Sequence, residues 1–285
     1  MLAYLQLLRL PTVFTAMADI LLGFILTHRQ ISAENGPKFA GLLFASSCLY
    51  LAGMVFNDVF DVKQDAQERP NRPIPSGRVS LRNAAILGAL LMAGGVAAAA
   101  TVAPWSLFIA GCLVPAILGY DALLKPTPLG PLGMGLCRFL NVMLGASDYG
   151  WQARVFFWGN PQLLCAIGLG TYIVGVTWFA RTEARQSSRL QLTAALLVCL
   201  GGIGLLAWLV HGRPSELQDP TVVFLLLGMI AANVALRALA AIADPAPGRV
   251  QAMIRLMLLS YVMLCATLVY WHTGDSTLAL ITACL

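Results

Sequence analysis

Residues 57–80 read NDVFDVKQDAQERPNRPIPSGRVS and place a cluster of acids at the end of a long apolar run. Carboxylates at the edge of an apolar segment need compensation, because an isolated charge there is costly. Asp58, Asp61 and Asp65 recur at spacings of three and four, so a helix continuing through them carries all three on one face, with Asn57 beside Asp58. Arg69, Asn71 and Arg72 come next, and then Pro73, Pro75 and Gly77, which break the helix and turn a basic loop back toward the acids. Hard oxygen donors that suit a divalent cation, followed by guanidiniums that fork onto phosphate oxygens, point to a metal–diphosphate ligand. The plainer reading, a solvated helix end pairing with Lys63 and Arg69, would suit one Asp better than three on one face.

The surroundings of this motif are apolar. The chain of 285 residues is 59% hydrophobic and 11% charged, with a mean hydropathy of +0.77, which is outside the range of a soluble globular protein. Apolar runs long enough to cross a bilayer start near Pro11, Phe39, Arg82, Pro104, Pro131, Pro161, Leu190, Thr221 and Met253. The expectation is an all-α, polytopic membrane protein of nine transmembrane helices, forming one domain over residues 1–285. Only Pro104 separates the third run from the fourth.

Basic residues set the expected topology. Lys63, Arg69, Arg72, Arg78, Arg82, Lys125, Arg181, Arg185, Arg189, Arg249 and Arg255 fall in the connections after the even-numbered runs, against Arg29, Lys38, Arg154 and Arg213 on the other side. The positive-inside rule then puts the acidic motif and the N-terminus with Arg9 in the cytoplasm and the C-terminus outside. The net charge of +5 reads as topology and attraction to anionic lipid, and no nucleic-acid partner is expected. The first run lacks the flank and cleavage site of a signal peptide and is expected to stay. Seven scattered cysteines form no close pair, and His28, His211 and His272 have no ligand spacing, so neither a disulfide framework nor a zinc site is expected.

On these residues the chain resembles the UbiA superfamily of intramembrane prenyltransferases, whose pattern is NDxxDxxxD followed by an Arg-Pro-rich loop. Asn57, Asp58, Asp61 and Asp65 match the first part, and Arg69, Asn71, Arg72 and Pro73 match the loop. YDALLK from Tyr120 to Lys125 resembles the family's Tyr-to-Lys segment, and the following run carries Arg138 and Asn141. The resemblance implies a nine-helix bundle in which acidic motifs hold Mg2+ and an isoprenoid diphosphate, and a lipophilic acceptor is alkylated at the allylic carbon. It further implies Asp58, Asp61 and Asp65 as metal ligands, and Asn57, Arg69, Asn71, Arg72, Tyr120, Lys125, Arg138 and Asn141 around the substrate.

The chain departs from the family where a second acidic motif, DxxxD, belongs. Residues 177–189 read TWFARTEARQSSR, in which Glu183 is the single acid, while Arg181, Arg185 and Arg189 share a helical face. Either Arg181 and Arg185 clamp the diphosphate in place of a second metal, or they are topological charges or partners of Asp61 and Asp65. RTEARQSS and the segment from YDALLK to LGAS are most similar to the EboC subgroup, whose members are bacterial and associated with a secondary-metabolite gene cluster. That similarity implies a bacterial cytoplasmic membrane and partner proteins of the same pathway.

The expected activity is Mg2+-dependent transfer of a prenyl group to a small or lipophilic acceptor. Asp58, Asp61, Asp65, Arg181 and Glu183 carry it, Arg185 assists, and Glu183 or Asp121 accepts the proton. Two other classes are open: a transporter or export component, against which the lack of paired broken helices counts, and a catalytically silent scaffold. Arg9 reads as an interface anchor.

Overall fold

A chain in lipid finds no water for its peptide groups, so each apolar run closes its own hydrogen bonds as a helix. The computed structural model describes residues 2–9, 12–149, 160–183, 186–213 and 220–285, and the regular elements among them are all helical. They are α1 (Leu2–Leu8), α2 (Phe14–His28), α3 (Gly36–Phe60), α4 (Val62–Glu68), α5 (Leu81–Val102), α6 (Pro104–Gly119), α7 (Gly130–Gly145), α8 (Pro161–Ala180), α9 (Arg189–Gly212), α10 (Pro220–Ala243), α11 (Pro247–Thr273) and α12 (Ser276–Ala283).

Each apolar run coincides with a helix. Among the described residues seven helices are long and apolar enough to cross a membrane: α3, α5, α6 with its continuation to Leu124, α8, α9, α10 and α11. The other two expected segments, α2 and α7, have 15 and 16 residues. At 1.5 Å per residue these reach roughly 24 Å, short of a hydrocarbon core of about 30 Å. Several starts lie a few residues from those expected, the largest shift being α11, which begins at Pro247 rather than near Met253. Local chemistry fixes two of the helix ends. Ser80 caps α5 by accepting from the Asn83 amide at 3.2 Å, and the α5–α6 break falls at extended Ala103, just before Pro104.

The packing brings α2, α7, α8 and α11 to the middle of the bundle, with α3, α5 and α6 on one flank and α9 and α10 on the other. Small residues permit close helix approach where lipid supplies no hydrophobic drive. A Cβ on Gly145 would lie 2.6 Å from the Ile20 carbonyl oxygen, joining α7 to α2, and one on Gly202 would lie 2.6 Å from the Tyr172 amide nitrogen, joining α9 to α8. Tyr172, Tyr261, Phe24 and Phe179 are fully buried in this core.

Side-chain links identify which connections share an end. Lys125 reaches Asp61, Arg181 donates to the Pro126 carbonyl at 3.4 Å, and Arg189 donates to the Ala243 carbonyl at 2.9 Å. The ends of α3, α6, α8 and α10 therefore gather at one face, which carries the acidic motif. At the opposite face His28 pairs with buried Asp148 at 2.8 Å and Gln162 donates to the Leu26 carbonyl at 3.0 Å.

Candidate functional site

Helical hydrogen bonds run from α3 into α4 across Asp61, whose amide bonds to the Asn57 carbonyl at 3.0 Å while its own carbonyl accepts from Asp65 at 2.8 Å. The near-continuous helix keeps Asn57, Asp58, Asp61 and Asp65 on the face that the three-and-four spacing requires. Asp58 and Asp65 are 3% and 4% exposed. Burial at that level demands partners.

The Arg-Pro loop supplies one of them. Ile74 and Val79 are buried in a small cluster with Leu7, Val55 and Ala84, which folds the loop back over the end of α3. Gly77 sits at φ 74°, a conformation open to glycine, and the Val79 amide closes the loop onto the Pro73 carbonyl at 3.0 Å. Arg72 is thereby aimed at the acids, with Nη1 2.5 Å from Asp65 and 3.2 Å from Asp58. Arg69 and Asn71 are exposed on the same loop.

Arg9 donates from Nη2 to Asp58 at 2.6 Å, so the residue expected to be an interface anchor belongs to the acidic cluster. Its φ of 47° is in the left-handed region, and buried Leu7 holds the preceding helix against the same cluster as the loop. A lone Arg before an apolar run gave no sequence signal of this pairing.

Lys125 completes the charge balance. Pro115 lies inside α6, and the helix ends in a π-helical turn over Tyr120–Leu124, closed by the Lys125 amide on the Tyr120 carbonyl at 2.9 Å. Wide turns of this kind often occur at functional sites. Here the turn delivers Lys125 Nζ to Asp61 and, at 2.6 Å, to Asn57 Oδ1.

Two cavities meet at this cluster. The outer one, of about 710 Å³, is polar and is lined by Asp61, Gln64, Asp121, Lys125, Arg181 and Glu183 among others. The inner one, of about 260 Å³, is lined largely by apolar groups including Leu49, Met54, Leu113, Ile117 and Met134, with Asn57, Arg9, Tyr50, Arg138 and Asn141 at its edges. Tyr120 and Asp121 line both. Arg181 is exposed in the outer cavity and Asp61 and Asp65 pair with Lys125 and Arg72, so among the described residues Arg181 does not pair with those acids. Arg185 lies outside the described residues.

Arg138 and Asn141 face inward, which spares them the cost of exposure to lipid. Their partner is Asp19, a fully buried acid on α2. Arg138 donates to Asp19 at 3.1 Å and to Thr15 at 2.7 Å, Asn141 donates to Asp19 at 2.9 Å and to the Ala16 carbonyl at 3.0 Å, and Tyr261 also donates to Asp19. Ser46 donates to Asn141 Oδ1 at 2.7 Å, and the Arg138 guanidinium stands 5.4 Å from the ring centres of Tyr50 and Tyr261. The network ties α2, α3, α7 and α11 together at the edge of the inner cavity. Asp19 within the first apolar run was the available signal for it.

The donor set fits magnesium in kind: three carboxylates and an amide oxygen are hard ligands, of which Asp61 lines the polar cavity and Asn57 the apolar one. Among the described residues no three acids, histidines or cysteines already converge as a cation cage. Arg9, Arg72 and Lys125 hold the carboxylates instead. Magnesium commonly takes one or two carboxylates, with substrate phosphates and water filling its remaining positions, so a finished cage is not required of the protein alone.

Known proteins share the sequence pattern and the fold. The digeranylgeranylglyceryl phosphate synthase of Methanosarcina barkeri is 35% identical over 162 residues, covering 52% of this chain and 55% of the relative. The chain thus matches about half the length of such curated relatives. Among solved structures, a UbiA homologue from Aeropyrum pernix K1 superposes with a TM-score of 0.69 at 20% identity, covering 90% of this chain and 96% of that one. A UbiA homologue from Archaeoglobus fulgidus, bound to DMAPP and Mg2+, superposes with a TM-score of 0.61 at 13% identity, covering 92% and 99%. These likenesses establish the fold. The family model for UbiA prenyltransferases matches residues 16–238, and the chain belongs to that family.

Proposed function

We propose that this protein transfers a prenyl group from an isoprenoid diphosphate to a small or lipophilic acceptor in the membrane, with Mg2+ at the acidic motif. The observation that carries the reading is the junction of a polar, charged cavity with a largely apolar one at Tyr120 and Asp121. A diphosphate suits the first and a prenyl tail the second. The UbiA homologue solved with DMAPP and Mg2+ supports the same pairing of ligand and ion.

Asp58, Asp61 and Asp65 would hold Mg2+, which when bound would neutralise charge on the diphosphate oxygens. Arg72, Arg9 and Lys125, which now balance these acids, would then have donors available to the phosphate oxygens. Arg69 and Asn71 stand exposed on the loop to join them. Positive charge gathered there favours departure of diphosphate as the allylic carbon–oxygen bond breaks. Tyr120, at the junction, presents an aromatic face to the allylic cation, and the apolar walls exclude water that would quench it. The acceptor then bonds to the allylic carbon and loses a proton, for which Asp121 and Glu183 are the carboxylates of the outer cavity outside the proposed metal-ligand set.

Arg181 assumes part of the task of the missing second acidic motif. It is exposed in the same cavity as Asp61 and Lys125, which suits a fixed guanidinium binding the diphosphate without a carboxylate-held ion. The basic connections orient this face toward the cytoplasm. The EboC-like segments favour a bacterial cytoplasmic membrane and a secondary-metabolite pathway, whereas the curated relatives make glyceryl phosphate lipids a natural first acceptor class to try.

The test is to incubate purified protein with labelled prenyl diphosphates, Mg2+ and glyceryl phosphate or total lipid acceptors. Label carried into a new lipid-soluble product, with release of diphosphate, is the expected result. Recovery of unchanged substrate inside sealed proteoliposomes, with no product, would replace the enzyme reading with transport.

A further inference from the structure

A second basic cavity lies away from the proposed active site and shares no lining residue with either of its cavities. It occupies about 210 Å³ between α10 and α11, with Arg237 and Arg249 at its rim and Ala241, Met253 and Leu256 among its walls. Arg237 is six residues before the end of α10 at Ala243, roughly 9 Å along the helix. It therefore sits within a membrane-spanning helix and not in the loop beyond it.

The helix face around it is exposed and apolar. Leu225, Met229, Leu236 and Leu239 are exposed along α10. Arg237 is exposed too, and its Nε donates to Asn233 at 3.1 Å; no carboxylate among the described residues pairs with it. A guanidinium in that position is unfavourable unless an anion or water reaches it. Arg249, near the start of α11, pairs with Asp244 at 3.3 Å but remains 61% exposed, leaving donors directed to solvent. Arg189 already donates to the Ala243 carbonyl at the end of α10, so Arg237 and Arg249 are the cations of the groove itself.

We propose that this groove binds the phosphate of an anionic membrane phospholipid in the leaflet at the motif face. Arg237 and Arg249 would hold the phosphate oxygens by charge-assisted hydrogen bonds. The cavity accommodates a headgroup, and the acyl chains continue along the exposed leucines and methionine of α10. The chemistry selects a lipid over a soluble anion because one cation lies below the helix end and an apolar face adjoins it.

Native mass spectrometry of the purified protein in neutral detergent tests this, using phosphatidylglycerol, phosphatidylcholine of the same chains, and inorganic phosphate as probes. The wild type should retain one phosphatidylglycerol in clear preference to phosphatidylcholine. Arg237→Gln and Arg249→Gln should each reduce that preference roughly fivefold, as expected for loss of one interfacial cation. Arg82→Gln, which removes an exposed charge at the same face outside the groove, should leave it unchanged. Equal retention of both lipids, equal loss in Arg82→Gln, or full competition by inorganic phosphate would overturn the proposal. So would a wild-type dimer that dissociates in Arg237→Gln, since the groove would then be an interface between copies. Circular dichroism checks each variant, and because the two arginines lie on different helices, a misfolded variant of one leaves the other as the test.

Discussion

Removing the Arg72 guanidinium should expose how the acidic cluster is balanced. Arg72 Nη1 stands 2.5 Å from Asp65 and 3.2 Å from Asp58, and these acids are 4% and 3% exposed. Taking one partner from a buried ion pair costs about 3–5 kcal/mol, because the remaining charge is left without compensation. Two features reduce that figure here: the Arg72 side chain is 19% exposed, and Arg9 still donates to Asp58 at 2.6 Å. Asp65 is the acid left unpaired, and Arg72→Gln should cost about 2–3 kcal/mol. At about 2 °C per kcal/mol for a chain of this size, thermal unfolding in detergent without divalent ions should fall by roughly 4–6 °C. If the same acids hold Mg2+, the ion should stabilise the variant more than the wild type, because it no longer competes with Arg72. A melting temperature within roughly 1 °C of wild type without Mg2+ would refute the charge-balance argument. An Mg2+ response no larger than that of the wild type would refute the competition.

Other substitutions probe separate parts of the account. Arg181→Ala should abolish diphosphate binding while leaving the helical circular dichroism of the protein unchanged; retained affinity would remove Arg181 from the site. Gly202→Val places new atoms against the Tyr172 and Gly168 backbones, and should destabilise the α8–α9 contact by about 1–3 kcal/mol, read as a lower melting temperature. Arg138→Met leaves fully buried Asp19 without its ion pair and should cost about 3–5 kcal/mol. In the double variant Arg138→Met with Asp19→Leu, much of that loss should return, and a double variant as unstable as the single one would contradict the pairing.

The sequence was most legible where a spacing had one geometric consequence. Asp58, Asp61 and Asp65 share a face because helical hydrogen bonds continue through Asp61, and Pro73, Pro75 and Gly77 turn Arg72 back as their conformational limits require. Each apolar run coincides with a helix among the described residues, but hydropathy alone did not distinguish the short α2 and α7 from the seven long enough to span. Arg9 and Asp19 were underread for a different reason. Each acts through a residue distant in the chain, Asp58 for the first and Arg138 for the second, and no local period records such a contact. Lys125 was placed by resemblance, while the π-helical turn that aims it at Asp61 has no clear signature beyond Pro115 upstream.

The most direct test of the central claim is binding of geranyl, farnesyl and longer prenyl diphosphates to the purified protein, with and without Mg2+, in the wild type and in Asp61→Asn. The account predicts binding that requires Mg2+ and is lost in Asp61→Asn while the variant remains folded. Binding of none of these ligands to folded wild-type protein, or equal Mg2+-dependent binding by Asp61→Asn, would contradict it.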